Sequence, residues 1–404
     1  MDSLTQIVLG AAVGEAVLGR RVGNRAMVWG GLAGTLPDLD VLSGAVTDPM
    51  SALAFHRAFT HSLAFALLAA PIIGYAVNRM YADPPGKWRV AAGVTALLWG
   101  VILVGSLLMP VPVYGIPAIA TAITLVFAGL AAGILGWQHW RGGLTAGPRA
   151  DARGWTLLFF GAIVTHPLLD CFTAYGTQFF EPLSSVRLAW NTVSVVDPLY
   201  TLPFLLLLLF AARAERGARV RSRLNRAGLV VSSAYLLLTV ANAYHVGAVV
   251  DATLERRAIT ADRSFHSPTL GNNLLWSATV QAGDDYYIGQ YSLLDAERDL
   301  SPFVRVPGNH GMLQPYADER AVEILTWFSN GYYTVFPGAG DTLLVCDLRY
   351  GYLGDDATDP GAYLFQWAID TTARPLNAVQ RQFGARSDGS ALFGQLWTRL
   401  KGVE

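Results

Sequence analysis

Through the first 250 residues, long uncharged apolar runs are separated by short polar stretches; beyond that point apolar and polar positions alternate, broken by turn residues. The runs cover 62–78, 90–109, 111–137, 155–169, 198–212 and 228–250. Each approaches or exceeds the ~17 to 25 residues that cross a bilayer core as a helix. Those at 155–169 and 198–212 are short, which places their ends near the interface. Two shorter segments, 4–19 and 26–37, are rich in glycine and alanine. Small residues let helices approach closely in a membrane, so these two read as a tight hairpin. After residue 250, "LLWSATVQAGDDYYIGQYSLLD" (274–295) predicts two strands around Gly-Asp-Asp, "YYTVFPGAGDTLLVCDLRYGYL" (332–353) predicts another pair, and "AYLFQWAID" (362–370) a fifth strand. The pattern predicts a mainly α chain: a polytopic helical membrane domain over 1–250, then a mostly β (α+β) extracytoplasmic domain over 251–404.

Composition supports this division. The 404 residues are 52% hydrophobic and 15% charged, against roughly 25% charged in soluble domains. Residues 1–250 carry 17 Lys/Arg against 11 Asp/Glu, and residues 251–404 carry 12 against 19. In the first part, 15 of the 17 basic residues fall in loops that alternate onto one side. Basic loops favour the cytoplasm, so the 38–61 loop, the 170–197 loop and everything after 250 are expected outside, in a multi-pass inner-membrane protein. The amino terminus has no basic region ahead of its apolar stretch and carries Glu15 within it, so it reads as a retained segment and not a signal peptide. Cys171 and Cys346 have no CxxC spacing and give neither a disulfide framework nor a thiolate metal site. The basic residues are loop charges without an aromatic-interleaved groove, which argues against nucleic acid as a partner.

Only Arg57 and Arg187 remain for the outer side, where four separate stretches deliver carboxylates and imidazoles. These are Asp38 and Asp40 in "TLPDLDVL", His56 and His61 in "FHRAFTHS", His166 and Asp170 in "THPLLDCF", and Asp197 in "VVDPLY". His166 and Asp170, four apart, share one face of a helix and form a natural chelating pair. Asp38 and Asp40 follow Pro37, where an extended turn offers one carboxylate to a metal and the other to a neighbouring metal or a supporting histidine. His56 and His61 are five apart, about 140° around a regular helix, and converge only if a turn intervenes. Thr60 is the expected cap of the helix that follows. Asp197, before Pro198, doubles as a helix cap. Ionisable groups at membrane depth mark function. A His/Asp set without cysteine suits zinc, or manganese or iron.

"PDLD", "HRAFTHS" and "HPLLD", in this order among apolar helices, resemble the YbcI/YdjM-like family of membrane-bound metal-dependent hydrolases; the likeness covers roughly residues 1–210 and includes the "MDSLTQIVLGAAVGEAVLG" opening. That family is distantly similar to zinc-dependent phospholipase C. The resemblance implies Asp38, Asp40, His56, His61, His166 and Asp170 as metal ligands, with Arg57 in the same motif. Many relatives have a histidine where this chain has Gln6, so if that histidine is a ligand, the coordination position is weakened here, lost, or filled by Asp2. With a divalent ion in place, hydrolysis of a phosphoester is the most economical reaction, with Arg57 gripping a phosphate oxygen and Asp197 as a carboxylate supporting a ligand or as a proton acceptor. The expected partner is a membrane lipid or lipid-linked phosphate; no motif names a protein partner. The alternative is a membrane scaffold or sensor with a structural metal and a partner-binding, aromatic-rich outer domain, whose Trp276, Tyr286, Tyr287, Tyr291, Trp327, Tyr332 and Tyr333 otherwise serve as a β core. Transport is disfavoured, because the polar cluster sits at one interface and not at the bilayer midplane.

Overall fold

The computed structural model describes residues 1–82, 93, 96, 97, 100, 150–354, 356–381 and 389–402. The runs expected at 90–109 and 111–137 lie outside the described residues, apart from isolated positions of the first. Among the described residues, helices make up the first half of the chain and both sheets lie in the second. Two units form, residues 1–190 with 198–235, and residues 191–197 with 236–404.

In the first unit, α1 (Ser3–Val22) and α2 (Asn24–Thr35) form the close hairpin that their small residues predict. A Cβ on Gly10 would lie 2.3 Å from the Gly30 carbonyl oxygen, and one on Gly14 2.2 Å from that of Ala26. The backbones therefore touch, which only glycine permits at these positions. Asp2 caps α1 by accepting from the Thr5 N–H at 3.1 Å. A 3₁₀ helix (Pro37–Ala45), the short α3 (Pro49–Phe55) and a second 3₁₀ turn (Phe59–His61) lead into α4 (Leu63–Ala82). Ser62, not Thr60, caps α4: its hydroxyl accepts from the Phe65 N–H at 3.0 Å, while Thr60 turns inward. The helix α5 (Ala152–Asp170) packs against α1, α2 and α4 around Trp29, Phe55, Phe159 and Trp155, and Trp155 stacks on Tyr81 at 5.6 Å. Next come α6 (Pro198–Arg213) and α7 (Arg219–Arg256). Among the described residues, α4 and α7 are long and apolar enough to cross a membrane, and α6 is a shorter apolar helix.

Glu15 explains itself here. Its carboxylate makes paired hydrogen bonds with Arg221 at 2.6 and 2.5 Å, both side chains are buried, and Gly19 clears the space. Arg221, counted from sequence as a loop charge, is thus an internal partner. A buried charge in such surroundings needs a partner this close.

The second unit holds two four-stranded antiparallel meanders, β1 (Arg263–Pro268), β2 (Leu275–Ala282), β3 (Asp285–Ser292), β4 (Phe303–Pro307), and β5 (Tyr333–Pro337), β6 (Thr342–Asp347), β7 (Gln366–Asp370), β8 (Asn377–Arg381). Ala282 pairs with Asp285, so Gly283 and Asp284 alone make the β2–β3 turn, with Gly283 at φ 62°. The strands expected around the two turn motifs and near 362–370 correspond to β2, β3, β5, β6 and β7. Beyond that reading, the structure adds β1, β4, β8 and the helices α8 (Arg320–Phe328) and α9 (Gly389–Leu400). Val246, Val249 and Val250, in the carboxy-terminal half of α7, pack on Trp276, Val280 and Tyr291. Trp276, Tyr286, Tyr291 and Tyr332 are core residues; Tyr287, Trp327 and Tyr333 are half-buried. Both cysteines are buried and free.

Candidate metal centre

The chain reverses sharply at Arg57. α3 ends at Phe55, and Arg57 takes a left-handed backbone conformation, φ 58°, a state that costs a non-glycine residue on the order of 1 kcal/mol. Two bonds hold it there. The Arg57 N–H donates to Asp40 Oδ2 at 2.8 Å, and its carbonyl accepts from the Gln178 N–H at 2.9 Å. This turn, which a continuous helix would lack, brings His56 and His61 to two sides of the same carboxylate. His56 Nδ1 lies 2.9 Å from Asp40 Oδ1, and His61 Nδ1 lies 3.2 Å from Asp40 Oδ2. Burial disfavours the charge on Asp40, yet the facing imidazoles of His56 and His61 outweigh it and hold the carboxyl well below the usual range.

The stretch after Pro37 is a 3₁₀ helix and not an extended turn. At three residues per turn, positions two apart point in different directions. Asp38 accordingly faces away from Asp40, toward His166 and His61, at 3.3 and 3.5 Å from their Nε2 atoms. From α5, His166 Nε2 and Asp170 Oδ2 arrive on one helical face, 3.4 Å apart. His61 Nε2 stands 3.2 Å from His166 Nε2 and 3.5 Å from Asp170 Oδ2.

Asp38, His61, His166 and Asp170 thus each offer one donor atom, all within 4.8 Å of one another. Five of the six separations fall between 3.2 and 3.5 Å. The centre of a tetrahedron with edges of about 3.4 Å lies about 2.1 Å from each corner, the bond length of zinc to imidazole nitrogen and carboxylate oxygen. The partners behind the donors agree with that use. His166 Nδ1 sits 2.5 Å from the Gly34 carbonyl, which can only accept, so the proton is on Nδ1 and Nε2 is turned inward. His61 presents Nδ1 to Asp40, the carboxylate–histidine arrangement that orients metal-binding imidazoles. Asp170 Oδ2 is buried and accepts no hydrogen bond. An electron-rich hollow of this kind fits a divalent cation, held by Asp38, His61, His166 and Asp170.

Around this set, Arg57 faces Asp170 Oδ2 through Nε at 3.4 Å, donates to Thr173 Oγ1 at 3.0 Å and lies over the Tyr175 ring. Its carboxylate neighbours are therefore Asp170 at the side chain and Asp40 at the backbone. Gln6 is buried and donates to Asp170 Oδ1 at 3.1 Å and to the His166 carbonyl at 3.3 Å, so it steadies two donors. Asp2, capping α1, does not replace it as a ligand. The six expected ligands divide into four that converge and two, Asp40 and His56, that stand behind His61. Asp197 is buried in the 191–197 segment, and the converging set does not include it. The side chain of Asp38 is 23% exposed and those of His61, His166 and Asp170 are 0% exposed, so solvent reaches the set from the Asp38 side.

Asp40 gives a direct prediction. Replacing Asp40 with asparagine is expected to weaken metal affinity about 10- to 100-fold without abolishing it, the usual loss when a supporting carboxylate is removed; a competition titration with a chromogenic chelator measures it, and an unchanged affinity would contradict the supporting role.

A family model described as YdjM inner membrane protein matches residues 1–118 and 118–246. No curated protein and no solved structure matches the chain.

Proposed function

The chain belongs to the YdjM inner membrane protein family, and from that premise we propose that it is a multi-pass, metal-dependent hydrolase acting on a phosphoester of a membrane lipid or lipid-linked phosphate. The observation that supports this reading most is the convergence of two imidazole nitrogens and two carboxylate oxygens at tetrahedral spacing. Zinc suits the set best, with manganese or iron as alternatives. When bound, such an ion polarises a phosphoryl oxygen and lowers the pKa of water toward neutrality.

The chain's own residues supply the rest. Asp40 and Gly34 fix the two imidazoles in the orientation that presents Nε2. Arg57 balances the charge of Asp170 and stands beside the set, placed to meet a non-bridging phosphate oxygen. Asp38, the donor in contact with solvent, marks the side from which a substrate enters. The topology that goes with the reading has the cluster and the carboxy-terminal unit on the extracytoplasmic side, as the basic loops suggest.

One observation favours a second reading. Three of the four donors are fully buried, and a set closed by four protein donors is the pattern of structural metal sites; the protein would then be a scaffold or sensor. Assay of the purified, metal-loaded protein with bis(p-nitrophenyl) phosphate and with phospholipid separates the two. The hydrolase reading expects metal-dependent turnover that drops to background in His61→Ala. Absence of metal-dependent turnover on both substrates, or equal turnover in the variant, would favour the scaffold.

A further inference from the structure

The loop after α5 runs past Arg57 and ends in a set of large apolar side chains facing outward. Its base is anchored firmly. Thr177 and Leu188 form an antiparallel bridge, Gln178 bonds to the Arg57 carbonyl, and the Phe179 carbonyl accepts from the Leu63 N–H at 3.0 Å. Tyr175 packs against His56 with ring centroids 5.2 Å apart. The tip is apolar: Leu183 is 93% exposed, Val186 60% and Phe180 48%, and just outside the bridge Trp190 is 47% exposed. The two charged residues of this segment are withdrawn from it. Arg187 lies over the Tyr175 ring at 4.7 Å. Glu181 is 1% exposed, with neither carboxylate oxygen hydrogen-bonded, and burial pushes its pKa up to about 7.

The surface at the depth of the metal centre has the same character. Gln6 places the first turn of α1 beside Asp170, and Thr5 and Thr201 share a hydrogen bond of 2.5 Å, so the starts of α1 and α6 lie level with the donors. Both present exposed leucines there, Leu4 at 48% and Leu199 at 60%. In a member of an inner-membrane family, an exposed apolar loop tip together with exposed leucines on the helix starts beside the donors has a lipid leaflet as its natural cover. An aromatic–aliphatic tip with its charges turned back is also the composition that settles in the interfacial zone.

We propose that the segment from Phe180 to Trp190 is a membrane-inserted rim that seats the metal centre below the headgroup plane, so that the substrate arrives from the leaflet as a phosphorylated lipid and not from water as a free phosphoester. The substrate half of this inference rests on the hydrolase reading; the insertion half does not.

A nitroxide on Leu183→Cys, or on Val186→Cys if the first variant does not fold, tests insertion in the full chain reconstituted in nanodiscs. Asp284→Cys in the exposed β2–β3 turn serves as the aqueous reference. The native cysteines are buried, which limits background labelling. The expected result is a several-fold higher ratio of oxygen to nickel-chelate accessibility at position 183 than at 284. Nickel accessibility equal to that at 284, or a label already shielded in detergent and unchanged in the bilayer, overturns insertion, the latter in favour of a protein contact. With insertion observed, turnover of a water-soluble phosphodiester but not of vesicle phospholipid overturns the substrate half. Turnover of neither overturns the hydrolase reading and leaves the rim standing.

Discussion

Wild-type protein should carry one divalent ion per chain by elemental analysis, and His61→Ala and Asp170→Ala should each carry almost none. A structural zinc site contributes about 10 to 16 kcal/mol in total, so removal of one donor in four lowers affinity by several orders of magnitude. His56→Ala is the informative control. Motif spacing makes His56 as good a candidate as His61, whereas the structure turns it toward Asp40 and leaves it a quarter exposed, outside the converging set. The His56 variant should therefore keep its metal. Retention of full metal in both donor variants would remove the site as described, and loss from the His56 variant as well would place the ion on the Asp40 side of His61.

The second large effect lies away from the donors. Gly30→Leu should prevent folding of the first unit. A Cβ there would lie 2.2 Å from the Gly10 carbonyl oxygen and 3.0 Å from the Gly14 Cα, and both are backbone atoms that cannot swing aside. Overpacking against side chains costs about 1 to 3 kcal/mol; against a rigid helix backbone it is expected to exceed that range. Gly31 is the matched control, because its Cβ would meet Ile7 Cγ2 at an ordinary 3.4 Å, and Gly31→Ala should leave the melting temperature nearly unchanged. Gly30→Leu should also lose metal, since the Gly34 carbonyl that orients His166 belongs to the same helix. A Gly30→Leu protein that is monodisperse, metal-loaded and as stable as wild type would show that the hairpin can separate at no cost.

How much of this was legible in the sequence depended on the distance over which each feature is encoded. The α1–α2 hairpin could be read because small residues advertise close approach within each segment. His166 and Asp170 could be paired because four positions on a helix are one turn. Asp38 and Asp40 were placed in the right neighbourhood, but the 3₁₀ winding that sends them to different partners has no local signature beyond Pro37. The same holds for His56 and His61, whose division of labour depends on the left-handed turn at Arg57, a residue type that gives no hint of such a conformation. Gln6 looked like a lost ligand and is a support for Asp170. Glu15 and Arg221 are separated by 206 positions, so in the sequence the carboxylate argues only against a signal peptide and the arginine stands only as a loop charge. In the second unit the longer hairpins announced themselves by their glycine turns. Strands β1, β4 and β8 are about as short as β5, β6 and β7, but β1 (RSFHSP) and β8 (NAVQR) are mostly polar, too weak an apolar pattern to stand out from coil.

The distribution of the four donors along the chain also sets an order of events during biosynthesis. Asp38 and His61 leave the ribosome early, whereas His166 and Asp170 close α5 more than 100 positions later, His166 alone trailing His61 by 105. No pair from the early half can enclose an ion without the late half. Completion of the donor set must therefore wait until α5 has been synthesised and docked against α1 and α4.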